Sequence, residues 1–259
     1  MKRWLGLVLA VVLAFAAMLM PALGRADPQF TVLVIAAPSK YHYEYIPVAR
    51  DGLERLGRLH AFAIDWHKDG APLEGDLKRY AAILLLNTPA DEFSAGQRAG
   101  LERYLQGGGN AVVVHRAAIV PAGAWPWYEK LVGRSFVNHP MIQTGVVTVL
   151  DKGFPAAFGL PERWLWSDEF YVTSNPFDIA IHRVLGVDEA SYDPTRIWPG
   201  QVGHRMGKDH PEAWFHVWEK GRVFVTLLGH EAEMYRDDRY LQHLLGGITW
   251  AATGLGEVR

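Results

Sequence analysis

Three apolar segments of this chain each lead to a histidine, a residue suited to proton transfer and to metal binding. The pairs are residues 30–37 with His42, residues 111–114 with His115, and residues 222–229 with His230. If these segments are parallel strands of one sheet, the imidazoles lie along the edge formed by the strands' carboxyl ends. Open α/β sheets bind ligands at that edge. The chain contains no cysteine, so the predicted site depends on histidine and not on a thiol.

The three histidines are candidate catalytic residues and candidate metal ligands. Each imidazole could act as a general base, hold a metal or donate to a substrate oxygen. Three histidines suit zinc and leave a fourth position open for water. His115 directly follows the apolar residues 112–114, where related α/β folds place a nucleophile. Gly229 permits a sharp backbone turn before His230, and His42 lies in the loop after the first predicted strand.

Asp168 and Glu169 are the candidate catalytic carboxylates. Neighbouring side chains of an extended segment point to opposite faces, so this pair could not flank one glycosidic bond. We therefore expect one carboxylate to face the site. The other is expected to lie in solvent or to cap a neighbouring group.

Loops and tryptophans supply the candidate substrate-binding residues. His139 and His210 each precede a proline, which favours an extended backbone, and Asp209 could orient a nearby imidazole. The chain has ten tryptophans, whose rings could stack on sugars. Five of them lie in segments that we predict to be irregular, namely Trp125, Trp127, Trp164, Trp166 and Trp198. Trp127 is the preferred candidate among these.

The pattern of elements predicts one α/β domain. Strands are predicted at residues 30–37, 62–66, 80–86, 111–114, 146–150 and 179–187, with a hairpin formed by 214–218 and 222–228. Helices are predicted at 46–59, 94–107, 125–132 and 240–252. The regular alternation in the first half implies parallel strands joined by helical crossovers. The prediction is a doubly wound, mostly parallel sheet with irregular insertions over its carboxyl edge.

The first residues of the chain have the pattern of a secretory signal peptide. Lys2 and Arg3 precede the apolar residues 5–20, and small residues follow, with cleavage expected after Gly24 or Ala26. An uncleaved membrane anchor is the competing interpretation, although 16 apolar residues are short for a span of about 20. We therefore predict a signal peptide at 1–26, a domain at 27–254 and a tail at 255–259. The mature protein is expected to be exported, to a bacterial periplasm.

Charge argues against a nucleic-acid partner. Without Lys2, Arg3 and Arg25, the chain has 23 basic and 28 acidic residues. The sequence shows no cluster of basic residues of the kind that binds nucleic acid. We therefore expect a small-molecule partner and a membrane contact only through an uncleaved signal segment. The sequence does not determine the oligomeric state.

These motifs together resemble the trehalose-utilisation (ThuA-like) family over about residues 30–252. The resemblance rests on an ordered series of segments: 39–42, 104–109 with 112–115, 125–128 with 131–133, 139–140, 168–171, 209–211 with Trp214, 228–230 and 244–250. It implies the flavodoxin-like three-layer sandwich of the class I glutamine amidotransferase-like superfamily. The nucleophilic cysteine of the amidotransferases is absent. Family members often have a hydroxyl or acidic residue shortly after the histidine, whereas Arg116, Ala117 and Ala118 follow His115 here.

The resemblance also implies a role in the catabolism of disaccharides and their 3-keto derivatives, and it adds Tyr171 to the candidate substrate-binding residues. Our first hypothesis is an exported enzyme that acts on such a sugar by histidine acid/base chemistry, with a divalent metal such as zinc as a possible aid. Isomerisation, elimination and hydrolysis all require proton transfer at neutral pH and stay open. The second hypothesis is a carbohydrate-binding or accessory protein without turnover.

Overall fold

The computed structural model describes residues 27–256, and its central strands bury both of their faces. In β1 (Thr31–Ile35), Val32 and Val34 enter one hydrophobic core, whereas Leu33 and Ile35 enter another. This explains why the predicted strands 30–37, 80–86 and 111–114 are almost continuously apolar. The strands that follow are β2 (Ala63–His67), β3 (Ala82–Leu86), β4 (Ala111–Val114), β5 (Ser135–Asn138), β6 (Gln143–Val149), β7 (Arg163–Asp168), β8 (Val172–Ser174), β9 (His182–Asp188), β10 (Pro211–Trp218) and β11 (Gly221–Thr226).

Nine of these strands form one sheet, in the order β2-β1-β3-β4-β11-β10-β9-β6-β7. The first five run parallel, and the order 2-1-3-4 followed by a fifth parallel strand is that of flavodoxin-like sheets. The last four continue the sheet with antiparallel pairings. Within residues 27–256, β5 and β8 form a separate antiparallel pair. The predicted α/β fold is confirmed.

Helices cover both faces of the sheet, which makes the three-layer sandwich. They are α1 (Tyr45–Leu59), α2 (Ala95–Gln106), α3 (Pro126–Val132) and α4 (Asp238–Thr253). Leu53 of α1 and Leu244 of α4 pack into one core, and Leu101 of α2 and Leu131 of α3 into the other. Each helix presents an apolar stripe to its own side of the sheet.

Local sequence signals fix several helix ends. The Ser94 side chain accepts a hydrogen bond from the backbone N–H of Gln97, and the Gln97 side chain accepts one from the backbone N–H of Ser94, which completes the predicted capping box of α2. Pro126 begins α3 as expected for a first-turn proline, and Gly133 ends the helix with a left-handed conformation. These signals correctly placed the helices that precede and follow β4.

The structure corrects the prediction for residues 163–168. We expected Trp164 and Trp166 in an irregular segment, but they belong to β7, where they are buried and alternate with exposed neighbours such as Leu165. The period of two is present in the sequence, and tryptophan is itself favoured in strands, so the signal for this strand was available. The prediction also omitted the short strands β5 and β8.

No helix within residues 27–256 is long and apolar enough to cross a membrane. The predicted signal peptide at 1–26 lies outside the described residues, and so does the end of the predicted tail, 257–259.

The helix α4 packs closely against residues 155–157, which precede β7, and against β11, which leads to His230. A Cβ atom built at Gly246 would lie 2.3 Å from the backbone carbonyl of Pro155, which cannot rotate away. We expect Gly246→Ala to destabilise the protein by about 1–3 kcal/mol, because overpacking against backbone outweighs the helix propensity of alanine. Urea unfolding monitored by circular dichroism measures this change.

Gly96→Ala in α2 is the matched control, because a Cβ atom there would meet only the flexible side chain of Glu74. This variant should be as stable as the wild type or slightly more stable. Equal stabilities of the Gly246→Ala variant and the wild type would refute the packing argument.

Candidate functional site

The structure brings the three predicted histidines together at the carboxyl ends of β1, β4 and β11. Nε2 of His115 lies 3.3 Å from Nδ1 of His230, and that atom lies 3.1 Å from Nε2 of His42. His115 itself has a left-handed backbone, with φ of 51°. This conformation is uncommon outside glycine and turns the side chain sharply at the strand end.

Glu169 is the fourth member of the cluster. Its Oε2 atom lies 3.4 Å from Nε2 of His115 and 3.2 Å from Nδ1 of His230. The facing nitrogen and oxygen atoms of His42, His115, His230 and Glu169 all lie within 4.8 Å of one another. Oε2 is buried, yet it has no hydrogen bond of acceptable geometry within the described residues. A buried, unpaired carboxylate oxygen is costly, so this atom needs a positive partner.

The outer nitrogens of the three imidazoles face oxygen atoms, which orients their inner nitrogens towards the cluster. Nδ1 of His115 donates to the carbonyl oxygen of Leu227 at 2.6 Å, which leaves a lone pair on Nε2. Nδ1 of His42 lies 3.3 Å from Oγ of Ser39. Nε2 of His230 lies 3.6 Å from a carboxylate oxygen of Glu231. Metal-binding histidines are held in the same way in other proteins.

Electrostatics favours a neutral His42 and an ionised Glu169 in the cluster. Burial, reinforced by His115 and His230, lowers the pKa of His42 to about 3, so this imidazole is neutral. Burial alone would raise the pKa of Glu169, but the nearby imidazoles of His115 and His230 outweigh it and lower that pKa. For His230 burial opposes the charge, and the Glu169 carboxylate raises the pKa despite it.

The ligand separations fit a four-coordinate metal ion. Four atoms placed 2.0–2.1 Å from a tetrahedral centre are about 3.3–3.4 Å apart. Four of the six separations lie between 3.1 and 3.4 Å, and all six lie within 4.8 Å, so a bound ion would draw His42 slightly closer to the other ligands. Two or three imidazoles with one carboxylate are common zinc ligands, so the cluster could hold a divalent ion of this kind.

His139 and Tyr171, two predicted substrate-binding residues, lie against the cluster. Nδ1 of His139 donates to the carbonyl oxygen of Pro140 at 2.9 Å, and its Nε2 lies 3.7 Å from Oε2 of Glu169. Burial lowers the pKa of His139. The Tyr171 hydroxyl lies 2.9 Å from Nε2 of His115, and burial raises its pKa well above its ordinary value. The site therefore has a neutral imidazole and a protonated phenol beside it.

Asp168 points away from Glu169, as the alternation argument predicted for one of the pair. Its carboxylate accepts hydrogen bonds from the backbone N–H groups of Gly229 and Glu169, both at 2.9 Å, and from Nε1 of Trp166 at 3.1 Å. These contacts fix the turn that carries His230. Asp168, a predicted catalytic residue, thus contacts backbone and holds the cluster in place.

Asn87 is a site residue that the sequence analysis missed. Its Nδ2 donates to the carbonyl oxygen of Gly229 and to the Tyr235 hydroxyl, both at 3.0 Å. Its Oδ1 accepts from the backbone N–H of Arg116 at 3.2 Å. Asn87 thus ties together the ends of β3, β4 and β11. It could have been found, because it directly follows an apolar strand as His115 does.

Three predicted substrate-binding residues are not brought to the cluster. Nε1 of Trp127 donates to Glu219, just before β11 begins, whereas the cluster lies where that strand ends, about 20 Å away. Asp209 is exposed and pairs with Arg183. His210 is buried behind Tyr171, and its Nε2 donates to the carbonyl oxygen of Tyr171 at 3.0 Å. Strand direction, which the sequence does not determine, decides these positions.

Access to the cluster is narrow. The side chains of His230 and Glu169 are 14% and 10% exposed. Surface cavities of about 500 Å³ lie elsewhere, one beside Tyr80 and Tyr104 and another beside Phe215 and Trp250. Cavity volume therefore does not locate the site; the converging ligand atoms do.

Comparisons with known proteins agree with this architecture. A putative ThuA-like protein from Bacteroides uniformis has 24% identity and a TM-score of 0.74, with coverage of 89% of this chain and 94% of that one. A putative ThuA-like protein from Parabacteroides merdae has 21% identity and a TM-score of 0.70, covering 90% and 93%. A β-galactosidase from Bacillus circulans sp. alkalophilus has 12% identity and a TM-score of 0.54, covering 85% and only 30%.

These identities are low, so the structural matches show a shared fold alone. No curated protein matches the chain. A family model described as ThuA, trehalose utilisation, matches residues 31–251, which include every member of the cluster. Because that match spans most of the sequence, the chain belongs to the ThuA family of trehalose-utilisation proteins.

Proposed function

We propose that this protein is an exported, metal-dependent enzyme that transfers protons on a disaccharide or its keto derivative. The observation that carries the proposal is the buried Oε2 of Glu169, which faces imidazole nitrogens at metal-ligand separations and has no well-aligned hydrogen-bond donor within residues 27–256. A divalent ion would be held by His42, His115, His230 and Glu169. When bound, such an ion supplies a Lewis acid that polarises a substrate oxygen or lowers the pKa of water.

The chain's own residues supply a base and a proton donor. His139 is neutral because burial lowers its pKa, and its Nδ1 proton is committed to Pro140, so Nε2 can accept a proton. Tyr171 keeps its proton because burial raises its pKa. A carbonyl group acidifies the neighbouring C–H bond, so a keto-sugar suits a site with a neutral base and an electrophile.

Zinc titration of the chelator-treated protein tests the metal site. We expect the wild type to bind zinc tightly. His230→Ala and Glu169→Gln should each lower the zinc affinity by about 100-fold or more, because each change removes a ligand. His60→Ala is the control, since His60 lies exposed after α1 and should not affect binding. Equal zinc affinities of all four proteins would contradict the metal assignment.

Proton exchange tests the chemistry separately. In D₂O, NMR of 3-keto-trehalose with the enzyme should show loss of the proton next to the keto group, or formation of product. His139→Ala should lower this rate about 100-fold or more, because it removes the base, and should leave zinc affinity within a few-fold of the wild type. Binding of the sugar with neither exchange nor turnover would favour the alternative, a non-catalytic carbohydrate-binding protein.

Export has its own test. Residues 1–26 have the charged, apolar and small-residue regions of a cleavable signal. When the full chain is expressed in a Gram-negative bacterium, we expect mass spectrometry of the periplasmic fraction to find a mature protein that begins at Arg25 or Asp27. An intact N-terminus in the cytoplasmic fraction would contradict export.

A further inference from the structure

Trp198 is the one tryptophan among the described residues that is more than a third exposed, at 39%. Of the five tryptophans in predicted irregular segments, Trp125, Trp164 and Trp166 are buried in the hydrophobic cores. Trp127 packs on Trp125 at the other end of the sheet. A single exposed apolar side chain is ordinary in itself. Whether Trp198 has a function therefore depends on what lies next to it.

Trp198 lies at the rim of the histidine–glutamate cluster. Its ring centroid is 5.2 Å from that of His139, and the two rings are nearly perpendicular at 87°. Nε2 of His139 in turn lies 3.7 Å from Oε2 of Glu169. A continuous path of contacts therefore leads from the exposed indole to the buried ligand atoms.

The loop that carries Trp198 is anchored on both sides of it. The carbonyl oxygen of Arg196 accepts from the backbone N–H of Met141 at 2.9 Å. The carbonyl oxygen of Val202 accepts from Nδ2 of Asn138 at 2.8 Å. The two anchoring residues, Asn138 and Met141, flank His139 in the chain, so the indole and the imidazole are held in one unit. Such preorganisation reduces the cost of ordering a binding loop.

We propose that Trp198 forms a subsite for one pyranose ring of a disaccharide, beside His139 and next to the metal cluster. A pyranose presents a face of C–H groups that packs on an indole, and Nε2 of His139 stays available for the adjoining ring. The ring bound at Trp198 would place the adjoining ring of the same disaccharide at the cluster. This inference rests on the proposed function for its choice of a sugar substrate.

Calorimetric titration with trehalose and with 3-keto-trehalose tests the subsite. We expect Trp198→Ala to weaken binding of both sugars about tenfold and Trp198→Phe to weaken it less, because phenylalanine keeps a smaller aromatic face. Phe158→Ala is the control, because Phe158 is also an exposed aromatic residue but lies in the turn after residues 155–157. Its affinity should equal that of the wild type.

Tryptophan fluorescence gives a second measurement that needs no activity. Trehalose should change the emission of the wild-type protein, and this change should be absent in Trp198→Phe, which keeps the buried indoles. Unchanged affinity in Trp198→Ala, an unchanged fluorescence response in Trp198→Phe, or no binding of either sugar by the wild type would overturn the subsite.

The results separate this inference from the proposed function. Trp198-dependent binding without zinc affinity or proton exchange would remove the catalytic proposal and keep the subsite. Zinc binding and turnover that do not depend on Trp198 would keep the enzyme and remove the subsite.

Discussion

A buried carboxylate oxygen, Oε2 of Glu169, has no well-aligned hydrogen-bond donor among the described residues, and the site depends on this constraint. Glu169 is kept ionised by its histidine neighbours, although burial acts in the opposite direction. An unpaired charge in this position costs several kcal/mol unless a cation or donor compensates it. His42 is neutral, and no imidazole nitrogen among the described residues makes a well-aligned hydrogen bond to Oε2, so the histidines do not compensate this charge. A bound divalent ion would satisfy the carboxylate and the imidazoles together, which explains why four such side chains share one small volume.

Backbone geometry at the sheet edge holds this arrangement. Asn87 and His115, the residues that follow β3 and β4, both have a left-handed backbone, with φ of 49° and 51°. Gly229 has φ of 129°, and a Cβ atom there would lie 2.3 Å from the Tyr240 hydroxyl. Strained conformations persist where surrounding bonds determine them, and they concentrate at functional sites. Here Asp168 supplies such bonds by holding the turn before His230.

The sequence predicted the site residues that come after an apolar strand, at the edge where ligands bind to open α/β sheets. His42, His115 and His230 were found because each follows an apolar run, and parallel strands align their carboxyl ends. The same rule would have found Asn87, which also directly follows an apolar strand, if asparagine had been considered along with histidine. The α/β fold followed from alternating strands and helices, and the capping box placed α2 correctly.

The remaining features depend on facts that a sequence does not contain. The choice between Glu169 and Asp168 as the residue facing the cluster depends on how β7 is paired. Trp127 lies at the opposite edge because the helix that carries it runs beside the amino end of β11. The exposure of Trp198 depends on contacts between two loops that are about 60 residues apart in the chain.

A crystal structure of the zinc-loaded protein, with anomalous diffraction measured at the zinc edge, tests the central claim most directly. The account predicts one anomalous peak about 2.0–2.1 Å from Nε2 of His42, Nε2 of His115, Nδ1 of His230 and Oε2 of Glu169. A cluster without such a peak, with the carboxylate instead hydrogen-bonded to a protonated imidazole, would contradict it.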